Sequence, residues 1–267
     1  MPGGLRIVSL TPIATETLVL LGLEDELVGI TPYCRVYLRR PEDKAIAGTC
    51  LKAYYDKIAE LRPDIIFTQA PVEDRVDERL RELGYRTFKV RSHTNVHDII
   101  ANIVDIGLVT DRAAEARELA FRLEERLQAI YRRTSGRRAR PRVFVDHFWH
   151  YKSSSTVGAL TYVDDGVWIA GGVNIFHDVQ RGFFDVDYGE VARRDPDVVL
   201  VSFDPVQKLT VEKYAKLRPA IAGLRAYREG RVYLVPESRR VNLNHPGPSF
   251  VDTIEYLEGL LSRAAKS

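Results

Sequence analysis

The sequence has little that would point to a membrane span, a nucleic-acid partner or a fibrous protein. None of its apolar runs is long enough to cross a bilayer. The formal net charge of its 267 residues is only +2, a balance that favours neither nucleic acid nor a charged membrane surface. Apolar residues make up 45% and charged residues 28%, which is typical of a globular chain with a core of its own.

Sulfur-containing residues are scarce, with two cysteines and one methionine. Cys34 and Cys50 are close in sequence, so they could form a disulfide or remain two reduced thiols. Two cysteines do not make a zinc site, and the six histidines show no HxH or HExxH spacing, so the sequence predicts no direct metal site. A single methionine together with 13 tyrosines is a bias seen in heat-adapted proteins.

Familiar enzyme motifs are missing as well. The sequence contains no GxSxG, no P-loop lysine motif and no GxGxxG after a strand, and Gly171 and Gly172 read as the end of a helix. The first residues enter a predicted strand without a secretory signal, so we expect either an intracellular protein or a mature portion without its leader. The arginines between 132 and 142 have no aromatic residues among them, which predicts a solvated linker rather than a nucleic-acid surface.

One short pattern occurs twice, about half the chain apart. Residues 56–67 read DKIAELRPDIIF, and residues 189–200 read GEVARRDPDVVL. Each copy is a short amphipathic helix, a charged residue, Pro-Asp and an apolar run, so that Pro63 and Pro196 end a helix and a buried strand follows. The repetition predicts two α/β lobes of similar build, with the functional site in the cleft between them.

The rest of the chain alternates apolar strands with helices, which predicts a doubly wound parallel sheet in each lobe. Residues from Arg112 to about Arg133 carry apolar residues at helical spacing and predict one helix on the order of 30 Å long. We therefore predict an α/β fold of two doubly wound lobes joined by a single long helix. The predicted N-terminal lobe is 1–111, the bridging helix 112–134 and the C-terminal lobe 135–267.

Successive segments of the chain resemble the landmarks of a known family. In order, they read RIVSLTPIATETLVLLGLEDELVGIT, YDKIAELRPDIIFTQ, AGGVNIF, GEVARRDPDVVLVS and GRVYLVP. This series resembles the substrate-binding proteins of ABC importers, in the branch that takes up cobalamin, ferric siderophores and haem. The segment around TPYC is most similar to the cobalamin-binding members, and the resemblance covers nearly the whole chain.

The resemblance implies a monomeric binding protein that holds a metal chelate between its lobes, without catalytic residues or a cofactor of its own. A corrinoid is the first expectation for the ligand, and a ferric siderophore or haem the next. The expected partners are a membrane permease and its ATPase, and the expected location is extracytoplasmic, at the cell surface or in the periplasm. Family members are often lipid-anchored, whereas this sequence predicts neither a leader nor a lipobox cysteine, which leaves a cytoplasmic location open.

Ligands of doubly wound sheets lie at the carboxyl ends of the strands, where this sequence places several aromatic residues. Tyr33 and Tyr54 are predicted as the ligand wall of the first lobe. Trp149 and Tyr151, in a predicted loop after strand 143–148, form the predicted wall of the second, because a large flat ligand needs aromatic surfaces. Trp149 and Tyr151 could instead cover the core of the second lobe.

Polar residues at the same strand ends complete the predicted ligand site. Thr11 and Pro12 match the short polar turn with which family members line the cleft, and they could also simply cap a helix. Arginines at strand ends could hold carboxylate or phosphate groups through paired hydrogen bonds, although a lone arginine is commonly just a surface residue. The predicted arginines are Arg35, Arg91, Arg239 and Arg240.

Acidic residues stand at the predicted helix starts that follow Pro71 and Pro205. Alignment of the two halves places Glu73 and Asp74 in the first lobe and Glu212 in the second. The resemblance implies that acidic residues near these places dock onto arginines of the permease. The ordinary alternative is that carboxylates favour the positive end of a helix dipole.

Two other functions remain open on the sequence alone. An α/β enzyme acting on a tetrapyrrole or a metal cofactor would fit the fold class, and turnover of candidate substrates would support it. An intracellular ligand sensor or carrier would use the same fold, and a leader in the upstream reading frame would argue against it.

Overall fold

Two compact units make up the chain in the computed structural model, which describes residues 4–49, 51–69, 74–91, 93–150 and 153–264. The first unit consists of Met1–Ser92 with His97–Leu123, and the second of His93–Val96 with Glu124–Ser267. Each unit is thus assembled from two separate stretches of chain. A bridging helix that forms a segment of its own at 112–134 stays a prediction.

A five-stranded parallel sheet forms the centre of the first unit. Its strands are β1 (Ile7–Ser9), β2 (Leu27–Ile30), β3 (Ala45–Ile46), β4 (Ile65–Gln69) and β5 (Thr87–Val90), and the helices along this part of the chain are α1 (Pro12–Leu20), α2 (Tyr55–Leu61), α3 (Asp74–Glu82) and α4 (Val96–Val109). The strand order is β3-β2-β1-β4-β5. β1 lies at the centre and is fully buried, as expected for a parallel strand covered on both faces.

A mixed sheet forms the centre of the second unit. The remaining elements are α5 (Ala113–Thr134), β6 (Arg142–His150), β7 (Ser153–Val157), α6 (Tyr162–Ile169), β8 (Val173–Asn174), β9 (Phe183–Asp185), α7 (Tyr188–Arg194), β10 (Val198–Phe203), α8 (Val211–Leu217), α9 (Pro219–Ala222), α10 (Arg225–Arg228), β11 (Val232–Pro236) and α11 (Phe250–Ala264). The order is β11-β10-β6-β7-β9, with β8 beside β6. The predicted α/β class is confirmed.

Two antiparallel strands lie where the sequence predicts a long loop. Trp149 and His150 are the last residues of β6, and β7 runs back beside it with Ser155 opposite His147. Trp149 therefore lies in a strand, so its predicted place in a loop is wrong, while Tyr151 lies outside the described residues. The strand was missed because β7 reads SSSTV, which lacks the apolar alternation that indicates a strand.

The repeated pattern folds the same way in both units. α2 and α7 each end at a residue with left-handed backbone, Arg62 (φ 44°) and Asp195 (φ 41°), and the buried strands β4 and β10 follow. The helix-to-strand unit predicted from the Pro-Asp pattern is confirmed in both copies.

The aspartate of each Pro-Asp holds the start of the neighbouring strand. The backbone N–H of Arg6 donates to Asp64 Oδ2 at 2.7 Å, and that of Arg142 donates to Asp197 Oδ2, also at 2.7 Å. The guanidinium of Arg6 also donates to the carbonyl of Leu61 at the end of α2. In the second unit, the guanidinium of Arg142 donates to the carbonyl of Arg194 at the end of α7. We call these two equivalent arrangements the Arg–Asp contacts.

α5 is 22 residues long, which corresponds to roughly 33 Å. Its buried apolar positions recur at helical spacing, as the sequence predicts, and they are Ala116, Leu119, Ala120, Leu123, Leu127 and Ile130. Residues up to Leu123 belong to the first unit and the remainder to the second. Within the described ranges, neither α5 nor any other helix has the apolar length needed to span a membrane.

Most of the arginines that follow α5 are held by the protein, so the prediction of a solvated linker is wrong for them. Arg137 is only 17% exposed, lies 3.3 Å from Glu258 and donates to Ser262 at 2.6 Å. Arg140 stacks on the indole of Trp168, 4.0 Å from the ring centre. The partners lie far away in sequence on α6 and α11, which is why composition alone did not reveal them.

Candidate functional site

Small polar side chains hold together the strand ends of the first unit. Thr11 caps α1: its Oγ1 accepts from the N–H of Ile13 at 3.4 Å and donates to Gln69 Oε1, at the end of β4, at 2.9 Å. Ser9 Oγ donates to the Thr11 carbonyl at 2.9 Å. Thr11 is fully buried and Pro12 half-buried, so helix capping is observed and ligand contact by either residue stays a prediction.

Four large apolar side chains are exposed on the loops after β2 and β3. Tyr33, 62% exposed, and Val36 lie on a 3₁₀ turn at Pro32–Tyr37, and Leu51, 71% exposed, and Tyr54 lie just before α2. Because β2 and β3 are neighbours in the sheet, these loops emerge at the same edge. We call these four residues the apolar edge. The sequence indicated the two tyrosines but not Val36 or Leu51, because it does not reveal that they are exposed.

Cys34 is buried on the inner side of the same 3₁₀ turn. Its Sγ lies 3.2 Å from Thr31 Oγ1 and 3.8 Å from the carbonyl oxygen of Ser9. Cys50 lies outside the described residues. The disulfide and the pair of reduced thiols therefore both stay open.

The predicted arginines of the first unit differ in their surroundings. Arg35 is exposed on the 3₁₀ turn, and none of the described acidic side chains lies within ion-pair distance of it. Arg91 follows β5, but its guanidinium is paired with Asp105 on α4, and its N–H donates to Asn102 Oδ1 at 3.1 Å. Binding of a ligand anion by Arg91 would therefore compete with an internal ion pair.

The predicted arginines of the second unit follow β11 and are both exposed. Arg240 Nε lies 3.6 Å from Asp252 Oδ2 on α11, a long contact at an exposed side chain. Arg239 meets no carboxylate among the residues that the structure describes. Arg35 and Arg239 are thus the two predicted arginines whose charge is least compensated by the protein.

The carboxyl end of β6 is fixed by an arginine that the sequence did not single out. The guanidinium of Arg218 lies 4.9 Å from the ring centre of Phe148, the residue before Trp149. Arg218 also donates to Ser154 Oγ of β7 at 3.0 Å and to the hydroxyl of Tyr188 at 2.9 Å. It therefore joins β6 and β7 at the place where the predicted second wall begins.

A buried carboxylate lies close to this arginine. Asp146, in the middle of β6, is fully buried and accepts hydrogen bonds from the hydroxyls of Tyr188 at 2.6 Å and Tyr214 at 2.5 Å. Burial raises the pKa of Asp146, while the two tyrosines and then Arg218 act in the opposite direction. The signal in the sequence was a lone acidic residue inside an apolar run.

A second polar cluster lies at the ends of β10 and β11. Asn244 donates through Nδ2 to Ser202 Oγ at 3.1 Å and to the carboxylate of Glu237. Burial raises the pKa of Glu237, and the nearby Asp204 adds to this.

His147 is fully buried, and burial lowers its pKa to about 4. No three metal-ligating side chains of the described residues are placed to hold a metal ion.

The residues predicted to dock onto a permease stand in the first turns of their helices. Asp74 in α3 is paired with Lys89, 2.9 Å away. Glu212 in α8 is exposed, and hydrogen bonds with its own backbone N–H and with Thr210 lower its pKa. Glu73 lies outside the described residues. The contacts fit the helix-dipole alternative, and docking by these residues stays a prediction.

Curated relatives match nearly the whole chain. A cobalamin-binding protein of Halobacterium salinarum is 26% identical over 254 residues, which are 92% of this chain and 66%, just under two thirds, of that protein. A vitamin B12-binding protein of Vibrio cholerae is 26% identical over 264 residues, 98% of this chain and 90% of that protein.

Solved structures share the fold over the same extent. The periplasmic haem-binding protein of Roseiflexus superposes with a TM-score of 0.86 at 21% identity and covers 98% of this chain and 100% of its own. The periplasmic vitamin B12-binding protein of Vibrio cholerae gives a TM-score of 0.80 at 24% identity, with 98% of each chain covered. At these identities the likeness establishes the fold alone.

Residues 7–238 match the sequence profile of the family described as periplasmic binding protein. The match extends from β1 to the residues just after β11, so it takes in both sheets and both copies of the repeated pattern. The resemblance found from the sequence landmarks is thereby confirmed. The chain belongs to the periplasmic binding protein family.

Proposed function

We propose that this chain is the substrate-binding component of an ABC importer, which captures a corrinoid and delivers it to a membrane permease. The observation that carries the proposal is the apolar edge of the first unit. Several large apolar side chains exposed at one edge of a sheet are typical of a binding surface. A corrin ring, which is broad and flat, is a ligand that aromatic and aliphatic side chains of this kind fit.

The curated relatives support a corrinoid over other metal chelates. Proteins described as cobalamin-binding and vitamin B12-binding match more than nine-tenths of this chain. Haem is the second candidate, because an exposed tyrosine such as Tyr33 can ligate haem iron. A ferric siderophore is the third.

The proposed activity is reversible binding without chemical change. Membership of a binding-protein family supports this, and we assign no catalytic residue and no resident cofactor. The expected partners are a permease and its ATPase, and we expect the chain to act as a monomer outside the cytoplasm.

Thermal unfolding with a ligand panel tests the proposal. The panel contains cobalamin, cobinamide, haem and several ferric siderophores. A ligand present at one hundred times its dissociation constant should raise the unfolding free energy by about 2.7 kcal/mol. Stabilisation by cobalamin or cobinamide supports the proposal. Stabilisation by haem or a siderophore alone means that this compound, and not a corrinoid, is the ligand. If no member of the panel stabilises the protein, the proposal is contradicted.

Substitution of the apolar edge should weaken binding of the ligand found in this way. We expect Tyr33→Ala and Tyr54→Ala each to cost about 1–3 kcal/mol of binding free energy, because aromatic anchors dominate such surfaces. Tyr256→Ala on α11, another exposed tyrosine, is the control and should bind normally. Calorimetry measures the ligand affinity of all three variants. Unchanged affinity in both Tyr33→Ala and Tyr54→Ala would mean that the ligand does not bind at the apolar edge.

A further inference from the structure

A cavity of about 400 Å³ opens in the second unit, lined by none of the residues predicted to bind ligand or permease. Its walls come from the residues just before α4, from α6 and the loop that precedes it, and from the segment around β8. This volume lies in the lower part of the range of small-molecule sites, roughly 300–1,000 Å³. The polar and aromatic lining residues include Asp164, Asp165, Trp168, Asn174 and His177.

Two neighbouring carboxylates line the cavity, and its described lining residues include no lysine or arginine. Asp164 Oδ1 accepts from Asn174 Nδ2 at 2.8 Å, and Asp165 Oδ2 accepts from the N–H of Val96 at 2.9 Å. Neither carboxylate has a lysine or arginine within ion-pair distance among the described residues, although basic residues slightly outnumber acidic ones in the chain. Within the part of the chain that the structure describes, the two carboxylates therefore have hydrogen-bond partners but no ion-pair partner.

Partial burial makes this lack of a counter-ion costly. Burial raises the pKa of Asp164, and the like charge of Asp165 acts in the same direction, whereas His177 acts against both. A cation bound beside the two aspartates would supply the missing compensation.

One wall of the cavity suits the carbon chain of such a cation. Trp168 lines the cavity and is 46% exposed, an unusual setting for an indole. It already stacks with the guanidinium of Arg140, which shows that its ring accepts a cationic neighbour. Val173 adds an apolar surface to the same cavity.

We propose that this cavity binds a small alkylammonium compound, whose ammonium group lies at Asp164 and Asp165 and whose carbon chain lies against Trp168. A divalent metal fits less well, since no three ligating side chains of the described residues are placed to hold one. The proposal is independent of the importer function and of the ligand that the importer carries.

The fluorescence of Trp168 gives a direct test. The chain has two tryptophans, so Trp149→Phe leaves Trp168 as the sole indole. In that background we titrate putrescine as the probe, with 1,4-butanediol as the uncharged analogue and potassium chloride at equal ionic strength. We expect a saturable change in emission with putrescine and none with the other two.

Two matched variants locate the binding. Asp164→Asn keeps an acceptor for Asn174 but removes the charge, and it should weaken putrescine binding about tenfold or more. Asp185→Asn removes the same charge at an exposed site on β9 and should leave binding unchanged.

Three results would overturn the proposal: no saturable change with putrescine, an equal change with butanediol or salt, or equal affinity in Asp164→Asn and Asp185→Asn. If Asp164→Asn does not fold, the comparison of putrescine with butanediol on the unsubstituted aspartates decides the matter. Cobalamin binding is measured separately, so failure here does not affect the importer function.

Discussion

Single residues explain why Pro-Asp recurs in the chain. In each Arg–Asp contact the aspartate satisfies the backbone N–H at the start of one strand, while the arginine satisfies a carbonyl at the end of a helix. Such groups have no partner within their own element and need one from outside. The sequence showed the aspartates at both sites, but it gave no sign that Arg6 and Arg142 are their partners.

Removing the two aspartates should destabilise the protein unequally. Asp64 is exposed, whereas Asp197 is half-buried and also accepts from Arg225 at 2.6 Å. We expect Asp197→Ala to cost about 1–3 kcal/mol of unfolding free energy and Asp64→Ala about 0.5–1.5 kcal/mol. Urea unfolding measures both.

The pH dependence of the Asp197 effect follows from its pKa. Burial alone would raise this pKa, but the hydrogen bonds from Arg142 and Arg225 lower it overall. A depressed carboxyl pKa stabilises the folded state above the unfolded value, and this stabilisation is lost as pH falls through the folded value. The difference in unfolding free energy between the parent protein and Asp197→Ala should therefore shrink in acid. Equal losses of unfolding free energy in Asp197→Ala and Asp64→Ala at neutral pH would contradict the assignment.

His147 should make the protein less stable in mild acid. Its pKa is about 4 in the folded state against 6.5 when unperturbed, because burial disfavours the imidazolium. Between these values the unfolded chain binds a proton that the folded chain does not, so stability falls as pH decreases. The loss from pH 7 to pH 4.5 should be about 2–3 kcal/mol.

Histidine variants test this assignment by urea unfolding at both pH values. His147→Gln should remove most of the loss attributed to this residue. His97→Gln, at an exposed position on α4, should keep it. The same acid dependence in both variants would assign the effect to other groups.

At the scale of elements, the sequence predicts the helices and strands whose apolar residues recur periodically and misses the strands that lack such a pattern. The parallel strands other than β3 and β8 were predictable, as were α4 and α5, because apolar residues recur at the spacing of a buried strand or an amphipathic helix. β3, β8 and β9 are only two or three residues long, and β7 is rich in serine. Their pairing partners, not their own residues, make them strands.

Close contact between α4 and α5 depends on a glycine. A Cβ at Gly107 would lie 2.2 Å from Ala116 Cβ and 2.8 Å from the carbonyl oxygen of Arg112. Gly107→Ala should therefore destabilise the protein by about 1–3 kcal/mol through overpacking, despite the higher helix propensity of alanine. Thermal unfolding followed by circular dichroism measures the change.

Gly259 on α11 is the matched control for this substitution. A Cβ there would meet no described atom within 4 Å. Gly259→Ala should therefore stabilise the helix by about 0.5–1 kcal/mol. If Gly107→Ala also stabilises the protein, helix propensity and not packing governs both sites.

At the scale of the whole molecule, the candidate ligand site was only partly predictable. The rule that ligands meet the carboxyl ends of parallel strands pointed to Tyr33 and Tyr54, which are exposed. The sequence did not reveal that Arg91 is paired with Asp105, nor that Arg218 supports β6 and β7. Such contacts join residues far apart in sequence, and no local pattern records them.

Docking to the permease is the prediction that involves both units at once. Asp74 and Glu212 stand at the starts of α3 and α8, one in each unit. As docking residues, Asp74→Lys with Glu212→Lys should abolish association with the permease while ligand affinity stays unchanged. If the two carboxylates only stabilise their helices, each substitution should lower the unfolding free energy by about 0.3–1 kcal/mol. The doubly substituted protein should then still associate with the permease.

The control for docking carries the same charge change elsewhere on the two units. Glu118→Lys on α5 with Asp185→Lys on β9 reverses two exposed carboxylates, one in each unit and neither on α3 or α8. Association is measured with the permease and ATPase in nanodiscs, with the ligand bound and with it absent. Loss of association in the Asp74–Glu212 pair alone assigns docking to these carboxylates. Equal loss in both pairs indicates that net charge governs the encounter, because a uniform electrostatic attraction does not depend on which acidic residues are reversed.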